Sequence, residues 1–359
     1  MNGKPMLDES KLESEITTDA VDFSFGELLN LHRDKEIVIR PEYQRLFRWS
    51  NEQRSRLIES VLLRLPIPPI FLVENDSNVL ELIDGLQRTS SVLQFLDHTA
   101  IQEPELILSG CDILTVLNGI RFDDLSTALK LKIKRTPIRA IIIKKSGDEY
   151  VKYEMFKRLN TGGSLLSAQE IRNCSSRMVA GGEEFYSAIQ AWATQQDFFA
   201  AIGRLPDPNR ERRGDEELVL RFFAVKNYRD GYKGNIEEWL NEYMESILLR
   251  NHPFDRDAEG AHFVRVFGLI NQTFSDGAFS RFKQNGESTG RLAPAYFEAV
   301  VGAISENLDD VENVAAALLR QRLIEAFASE DFISSTGPGA NSIEKFNRRI
   351  AVVKEHLLA

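Results

Sequence analysis

Apolar positions in the first half of the chain alternate between a period of two and a period of three to four, which predicts strands and helices mixed in one domain. Phe23 to Leu31 reads as a short helix, and Glu36 to Arg40 alternates into a strand that stops at Pro41. Ser50 is a good N-cap with Gln53 at the capping-box position, and Leu57, Ile58, Val61, Leu62 and Leu65 then follow helical spacing. Pro66, Pro68 and Pro69 end that helix and lead into a strand over Ile70 to Glu74. Asn75-Asp76-Ser77-Asn78 is a turn cluster, so Val79 to Ile83 returns as the second strand of a hairpin. Thr89 to Leu96 is the next helix. A helix near Ser126 to Ile133, a strand over Pro137 to Lys144 and a helix over Glu149 to Leu159 complete this half. The period breaks at Asn160-Thr161-Gly162-Gly163, and Ser167 with Glu170 opens another capped helix.

From there the pattern is helical, over Asp215–Asn227, Ile236–Leu249, Ala261–Phe274, Ala295–Glu306, Val311–Ala328 and Ser342–Leu358. Gly286–Arg291 and Ser335–Asn341 read as Gly-rich loops between these helices. Residues 1–20 lack a strong apolar period and are expected to be disordered. The expected fold class is α+β, with a mixed α/β domain over residues 21–175 and an all-α domain over residues 176–359.

Composition adds limits. A hydrophobic content of 43% is enough to build both cores. The longest apolar runs, Pro66 to Val73 and Pro137 to Ile143, are too short to span a bilayer. The N-terminus is acidic and has no apolar leader segment, and the two cysteines, Cys111 and Cys174, have no metal-type spacing. A cytoplasmic setting without a membrane partner is expected. The net charge of −10 argues against coating nucleic acid with the whole surface. Charge is uneven, however: residues 130–177 hold 12 Lys/Arg against 4 Asp/Glu, and residues 178–359 hold 20 against 28. The basic segment is a candidate anion face, with a solvated helix face as the plainer reading of Lys132 and Lys134.

Three constellations carry chemistry. The first is Asp84-Gly85-Leu86-Gln87-Arg88, where a strand turns into a helix. A carboxylate, an amide, a guanidinium and the first N–H groups of a helix gather there, a combination that suits phosphate and a divalent cation. The plainer alternative is an Asp-Gly turn. The second is Arg40-Pro41-Glu42-Tyr43-Gln44-Arg45-Leu46-Phe47-Arg48-Trp49, three arginines, a glutamine and aromatic rings in a loop. Arginine forks hold phosphates and rings stack on bases, although Tyr43 and Trp49 read equally as structural anchors. The third is Lys157-Arg158-Leu159-Asn160-Thr161-Gly162-Gly163-Ser164, an anion nest or, more plainly, a helix C-cap. A standard P-loop, a nucleophile elbow and a zinc-protease helix are absent from the sequence. The five histidines are scattered, and Asp97-His98 has no partner set for a metal-dependent nuclease.

In this order the three constellations resemble the ParB-like N-terminal domain of GmrSD-type restriction proteins. The matching residues are Tyr43-Gln44-Arg45 with Trp49, Pro66-Ile67-Pro68-Pro69, Asp84-Gly85-Leu86-Gln87-Arg88, and Phe156 through Gly163 to Glu170 and Arg172. A weaker likeness, over Arg212 to Phe222, is to the helical extension of stand-alone members. The resemblance implies a ParB/sulfiredoxin-like core that binds and hydrolyses nucleoside triphosphates with Mg²⁺ or another divalent cation, in defence against phage. It implies Asp84, Gln87 and Arg88 as the hydrolytic core, with Asp84 toward the metal. The implied ligand-binding set is Tyr43, Gln44, Arg45, Arg48, Gly85, Arg158, Asn160, Thr161, Gly162, Gly163 and Arg172. Position 86 is Leu where the family usually has Gln, and the HNH-type nuclease often fused at the C-terminus is not visible. A nucleotide-gated binder without turnover and a ParB-like DNA-binding or nuclease surface therefore stay open. DNA, a partner nuclease or other defence protein, and a second copy of the chain stay open as partners.

Overall fold

The computed structural model describes residues 18–39, 49–75, 77–144, 167–176, 179–249, 252–283 and 286–359. The chain divides into two compact units, Met1–Ser164 and Leu165–Ala359. The whole is α+β: a mixed sheet with helices in the first unit, and a helical second unit.

The first unit holds five strands: β1 (Thr18–Ser24), β2 (Ile37–Val38), β3 (Ile70–Glu74), β4 (Leu80–Asp84) and β5 (Pro137–Ile143). Their order across the sheet is β1-β5-β3-β4-β2. β1 runs antiparallel to β5, β5 parallel to β3, β3 antiparallel to β4, and β4 parallel to β2. The helices are α1 (Phe25–Arg33), α2 (Asn51–Leu63), α3 (Leu86–Leu96) and α4 (Thr127–Arg135). Alternate strand residues Ile70, Leu72, Leu82, Ile138, Ala140 and Ile142 form one core with Phe25, Ile58, Val61, Val92, Leu93 and Ile133 of these helices. The period of two on each strand and of 3.6 on each helix brings these apolar positions onto facing surfaces.

Local signals decide most boundaries. At Ser50 the capping box is complete, with the hydroxyl accepting from Gln53 N–H and the Gln53 side chain accepting from Ser50 N–H. Asn75 Oδ1 accepts from the N–H of Ser77 and of Val79 and so closes the hairpin turn. β1 departs from expectation, because Thr18–Ala20 belongs to a strand and not to a disordered tail. Its positions are mostly exposed and show no apolar alternation. The sheet edge is instead stapled by the ion pairs Asp22–Arg139 and Asp19–Lys144. Charged edge strands of this kind hide from hydrophobic patterning. The helix expected over Glu149–Leu159 lies outside the described residues.

The second unit begins with α5 (Ala168–Ser176), whose Ser167–Glu170 capping box is formed. It continues with α6 (Gly182–Ala193), α7 (Gln196–Ala201), α8 (Asp207–Glu211), α9 (Gly214–Asn227), α10 (Ile236–Leu248) and α11 (Arg256–Phe274). After α11 a small hairpin, β6 (Arg281–Phe282) with β7 (Ser288–Thr289), occupies the first expected Gly-rich loop. The unit ends with α12 (Pro294–Glu306), α13 (Leu308–Val311), α14 (Ala316–Ala328), α15 (Glu330–Thr336) and α16 (Ile343–Leu357). The single helix expected over Val311–Ala328 is therefore broken, with α14 starting at Ala316. Rings of Trp192, Phe198, Phe222, Phe223, Phe263 and Phe267 pack together in this core, mostly edge-on or tilted. Among the described residues no helix is long and apolar enough to cross a membrane.

Candidate functional site

The corner between β4 and α3 is built by a bulge and a glycine. Phe71 pairs with Asp84 while Leu72 pairs with Leu82, so β4 carries one extra residue just before the turn. A bulge breaks the alternation and re-aims the side chain beyond it, here Asp84. Gly85 follows with φ +97°, as N-cap of α3. A Cβ at this position would lie 2.4 Å from Ile70 Cγ2, so the turn is as tight as glycine permits. Among the described residues no side chain caps α3, and the N–H groups of its first turn have no acceptor within the helix. Leu86 packs against the core, which is why the missing polar group at position 86 leaves the corner's shape intact.

Arg88 lies one turn from Asp84. Its Nη2 donates to Asp84 Oδ2 at 2.9 Å and to the Pro69 carbonyl at 3.0 Å. The Pro66–Pro69 segment thus supplies a fixed acceptor that holds the guanidinium. Arg88 Nε is buried without a hydrogen-bond partner, and among the described residues Nη2 is the only nitrogen of this guanidinium with one. The Arg88 side chain is 20% exposed and that of Asp84 is 31% exposed. The corner therefore offers a guanidinium with free donors beside a helix start, the kind of arrangement that suits an anion.

Part of the second constellation reaches this corner. Trp49 N–H donates to Gln87 Oε1 at 3.1 Å, and the Trp49 carbonyl accepts from Arg54 Nε at 2.9 Å. Arg54 Nη1 donates to Gln94 Oε1, and Gln94 Nε2 donates to the Pro104 carbonyl. Burial pushes the Arg54 guanidinium below its ordinary value, against the pull of Glu103. β2 runs parallel to β4. Tyr43, Gln44, Arg45 and Arg48, and likewise Arg158, Asn160, Thr161, Gly162 and Gly163, lie outside the described residues.

Two residues of the expected site have protein partners. Gln87, expected in the hydrolytic core, gives its amide oxygen to the Trp49 backbone. Arg172, expected on a ligand, is 2% exposed within the second unit. Its nitrogens donate to Gln169, Asn241 and Glu217. Removing a guanidinium so enclosed would strand the charge of its acid, Glu217. From Arg172 the pairing continues through Glu217 to Arg221, Glu298 and Arg349, an ion-pair ladder in the helical core. Burial works to raise the Glu217 carboxyl, and the charges of Arg221 and Arg172 outweigh it and hold the group below its ordinary value. Of the basic segment, Lys130, Arg139 and Lys144 are also paired, with Asp123, Asp22 and Asp19. Asp97 pairs with Arg33, and His98 Nδ1 lies 3.1 Å from the Glu103 carbonyl. Among the described residues no three His, Cys, Asp or Glu side chains group as a cation site. Arg54 and Gln94 were not singled out by sequence, although Gln87, Ser91 and Gln94 fall on one face of α3 at helical spacing.

The first unit is thus a small mixed-sheet domain with an acid and an arginine at a strand-to-helix corner. Residues 25–176 match the family model described as GmrSD restriction endonuclease, N-terminal domain, and this part of the chain belongs to that family. The match runs one helix, α5, into the second compact unit. Comparison with curated proteins and with solved structures gave no match.

Proposed function

We propose that the corner binds the phosphates of a nucleoside triphosphate, as part of a restriction-type defence system, and that the domain hydrolyses it. The observation that carries this reading is Arg88, with a buried, unpartnered Nε beside the uncapped start of α3. The family description supports the restriction setting. In this reading Arg88 neutralises the phosphate oxygens, the N–H groups of Leu86 to Arg88 add dipole stabilisation, and Asp84 orients the attacking water. Phosphoryl transfer needs chiefly such positioning and charge stabilisation. A lone carboxylate suits a Mg²⁺ that arrives on the triphosphate, held by Asp84 and the phosphate oxygens, and not a cage made by protein alone. That ion would supply further neutralisation of the phosphates. Arg45 and Arg158 are the further cations that the family motif offers.

A second reading is binding without turnover. The Asp84–Arg88 ion pair favours it, because the carboxylate oxygen that Arg88 engages is turned to a guanidinium and not to a water. Purified protein with Mg²⁺ is expected to release phosphate from at least one triphosphate, and Arg88→Ala to abolish that release. Folded wild type that binds a triphosphate and releases nothing selects the second reading.

A further inference from the structure

We infer that the outer edge of β1 pairs with β1 of a second copy, antiparallel about Val21, so that the sheets of the two copies become one. Among the described residues no strand lies beyond β1, which ends the order β1-β5-β3-β4-β2. β1 keeps register with β5 over all of Thr18–Ser24, and in line with it Phe25 N–H donates to the Thr136 carbonyl at 3.2 Å. Backbone groups alternate sides along a strand, so Phe23, Val21 and Asp19 turn theirs to β5. Thr18, Ala20 and Asp22 therefore turn N–H and C=O outward. Native edges are ordinarily blunted by brevity, proline, lysine or a bulge. The other edge, β2, is two residues long. β1 has seven residues, neither proline nor lysine, and an unbroken register.

The residues of the edge select a second copy as its partner. Antiparallel pairing of Thr18–Ser24 with itself sets Val21 against Val21 on the twofold axis, Ala20 against Asp22, and Asp19 against Phe23. The outward groups of Ala20 and Asp22 then meet as a hydrogen-bonded pair on each side of the axis. No acid faces an acid, and like charges directly opposite are what such a pair must avoid. Centring the pair on Asp22 would oppose Asp22 to itself, and centring it on Ala20 would shorten it to Thr18–Asp22. Each copy also neutralises its own acids, Asp22 with Arg139 and Asp19 with Lys144, so the strand offers no net repulsion to its twin. Val21 is 38% exposed although its neighbour across the ladder, Ala140, is buried, so the pairing covers an open rim of the core. With β2 too short to pair in the same way, the contact closes as a twofold dimer and does not propagate.

The test is sedimentation velocity of the full chain across a wide range of concentration, with circular dichroism and the urea midpoint to show that each variant is folded. Wild type is expected to dimerise. Ala20→Pro removes an outward donor and spares the bonds to β5, since proline is tolerated on the open side of an edge strand. The bond is lost twice by symmetry, so dimer affinity should fall at least about tenfold. Val21→Lys and Val21→Glu each set like charges face to face on the axis and should weaken the dimer alone, whereas an equal mixture of the two should recover it as a heterodimer, resolved by native mass spectrometry. A wild type that stays monomeric throughout overturns the proposal and leaves the edge to a strand of another protein. A dimer that Ala20→Pro leaves intact overturns it by placing the interface elsewhere. A Lys/Glu mixture that recovers nothing overturns the register about Val21. None of these outcomes depends on whether the corner binds a triphosphate.

Discussion

Gly85→Ala probes the corner while leaving every charged side chain in place, although its Cβ would lie 3.4 Å from Arg88 Nη2. Two costs are readable from the geometry. A side chain at φ +97° is strained, at about 1–2 kcal/mol. The new Cβ would also lie 2.4 Å from Ile70 Cγ2, on a residue that is fully buried at the start of β3. Relieving that overlap means shifting β3 against α3, which costs about 1–3 kcal/mol more. A loss of roughly 2–5 kcal/mol is large against the 5–15 kcal/mol that usually holds a domain together. Gly119→Ala is the internal control, with φ +86° and nothing within 4 Å of its Cβ. It carries the backbone strain, and the usual unfolded-state gain of a Gly→Ala change, without the clash. The difference between the two variants therefore reports the contacts of the new Cβ, of which Ile70 at 2.4 Å is much tighter than Arg88 Nη2 at 3.4 Å. Adding Ile70→Ala removes Cγ2, so the double variant Gly85→Ala/Ile70→Ala should be less damaged than the two single losses combined. Urea unfolding read peptide by peptide through hydrogen exchange separates the first unit's transition from the second's. Equal costs for Gly85→Ala and Gly119→Ala, or strict additivity with Ile70→Ala, would refute the reasoning.

Glu298→Ala should destabilise the helical unit by about 3–5 kcal/mol, because it leaves the buried Arg349 without an acid and takes from Arg221 one of its two, Glu217 remaining; chemical denaturation measures it, and a loss under 1 kcal/mol would show the ladder to be dispensable. Burial, then the charge of Lys226, holds the His262 imidazole below its ordinary 6.5. The folded state keeps the ring neutral while the unfolded chain takes up the proton first, so stability is complete above that value and falls as pH drops through it. His262→Gln should flatten this dependence of the urea midpoint between pH 7 and 5, and an unchanged slope would count against it. Asp97 is held down to about 2, by Thr99 first and then Arg33. Its contribution is present above the unfolded carboxylate value of 3.8 and is lost as pH falls toward 2; a carboxyl titration of Asp97 by NMR near 4 would contradict this.

The elements that local chemistry dictates were legible. Both capping boxes, at Ser50 and Ser167, formed as their spacing demands, because an N-cap and the residue three further on meet in any helix. The β3–β4 hairpin followed from the Asn75 turn for the same reason. α3 starts at Leu86 and not at Thr89, because its cap is the left-handed Gly85, which leaves no polar signature in the apolar period. β1 was invisible because cross-strand ion pairs, and not buried side chains, hold it. At the site, the spacing of Asp84 and Arg88 could be read, but not that they pair with one another or that Pro69 holds the guanidinium. Arg54 looked like any charged residue of an exposed helix turn, because its partners Gln94 and Trp49 lie on different elements. The partners of Arg172 were not legible either. Its motif neighbours are local, while its acid Glu217 and its amide Asn241 come from helices distant in sequence.

The central claim is that Arg88 at the β4–α3 corner receives a polyphosphate. Its most direct test is calorimetric titration of nucleoside triphosphates into wild type and Arg88→Ala, with both shown to be folded. Saturable binding by wild type, weakened at least about tenfold in the variant, is the predicted result, since a charge-assisted hydrogen bond is of that order. Equal binding by both proteins, or none by wild type, would contradict it.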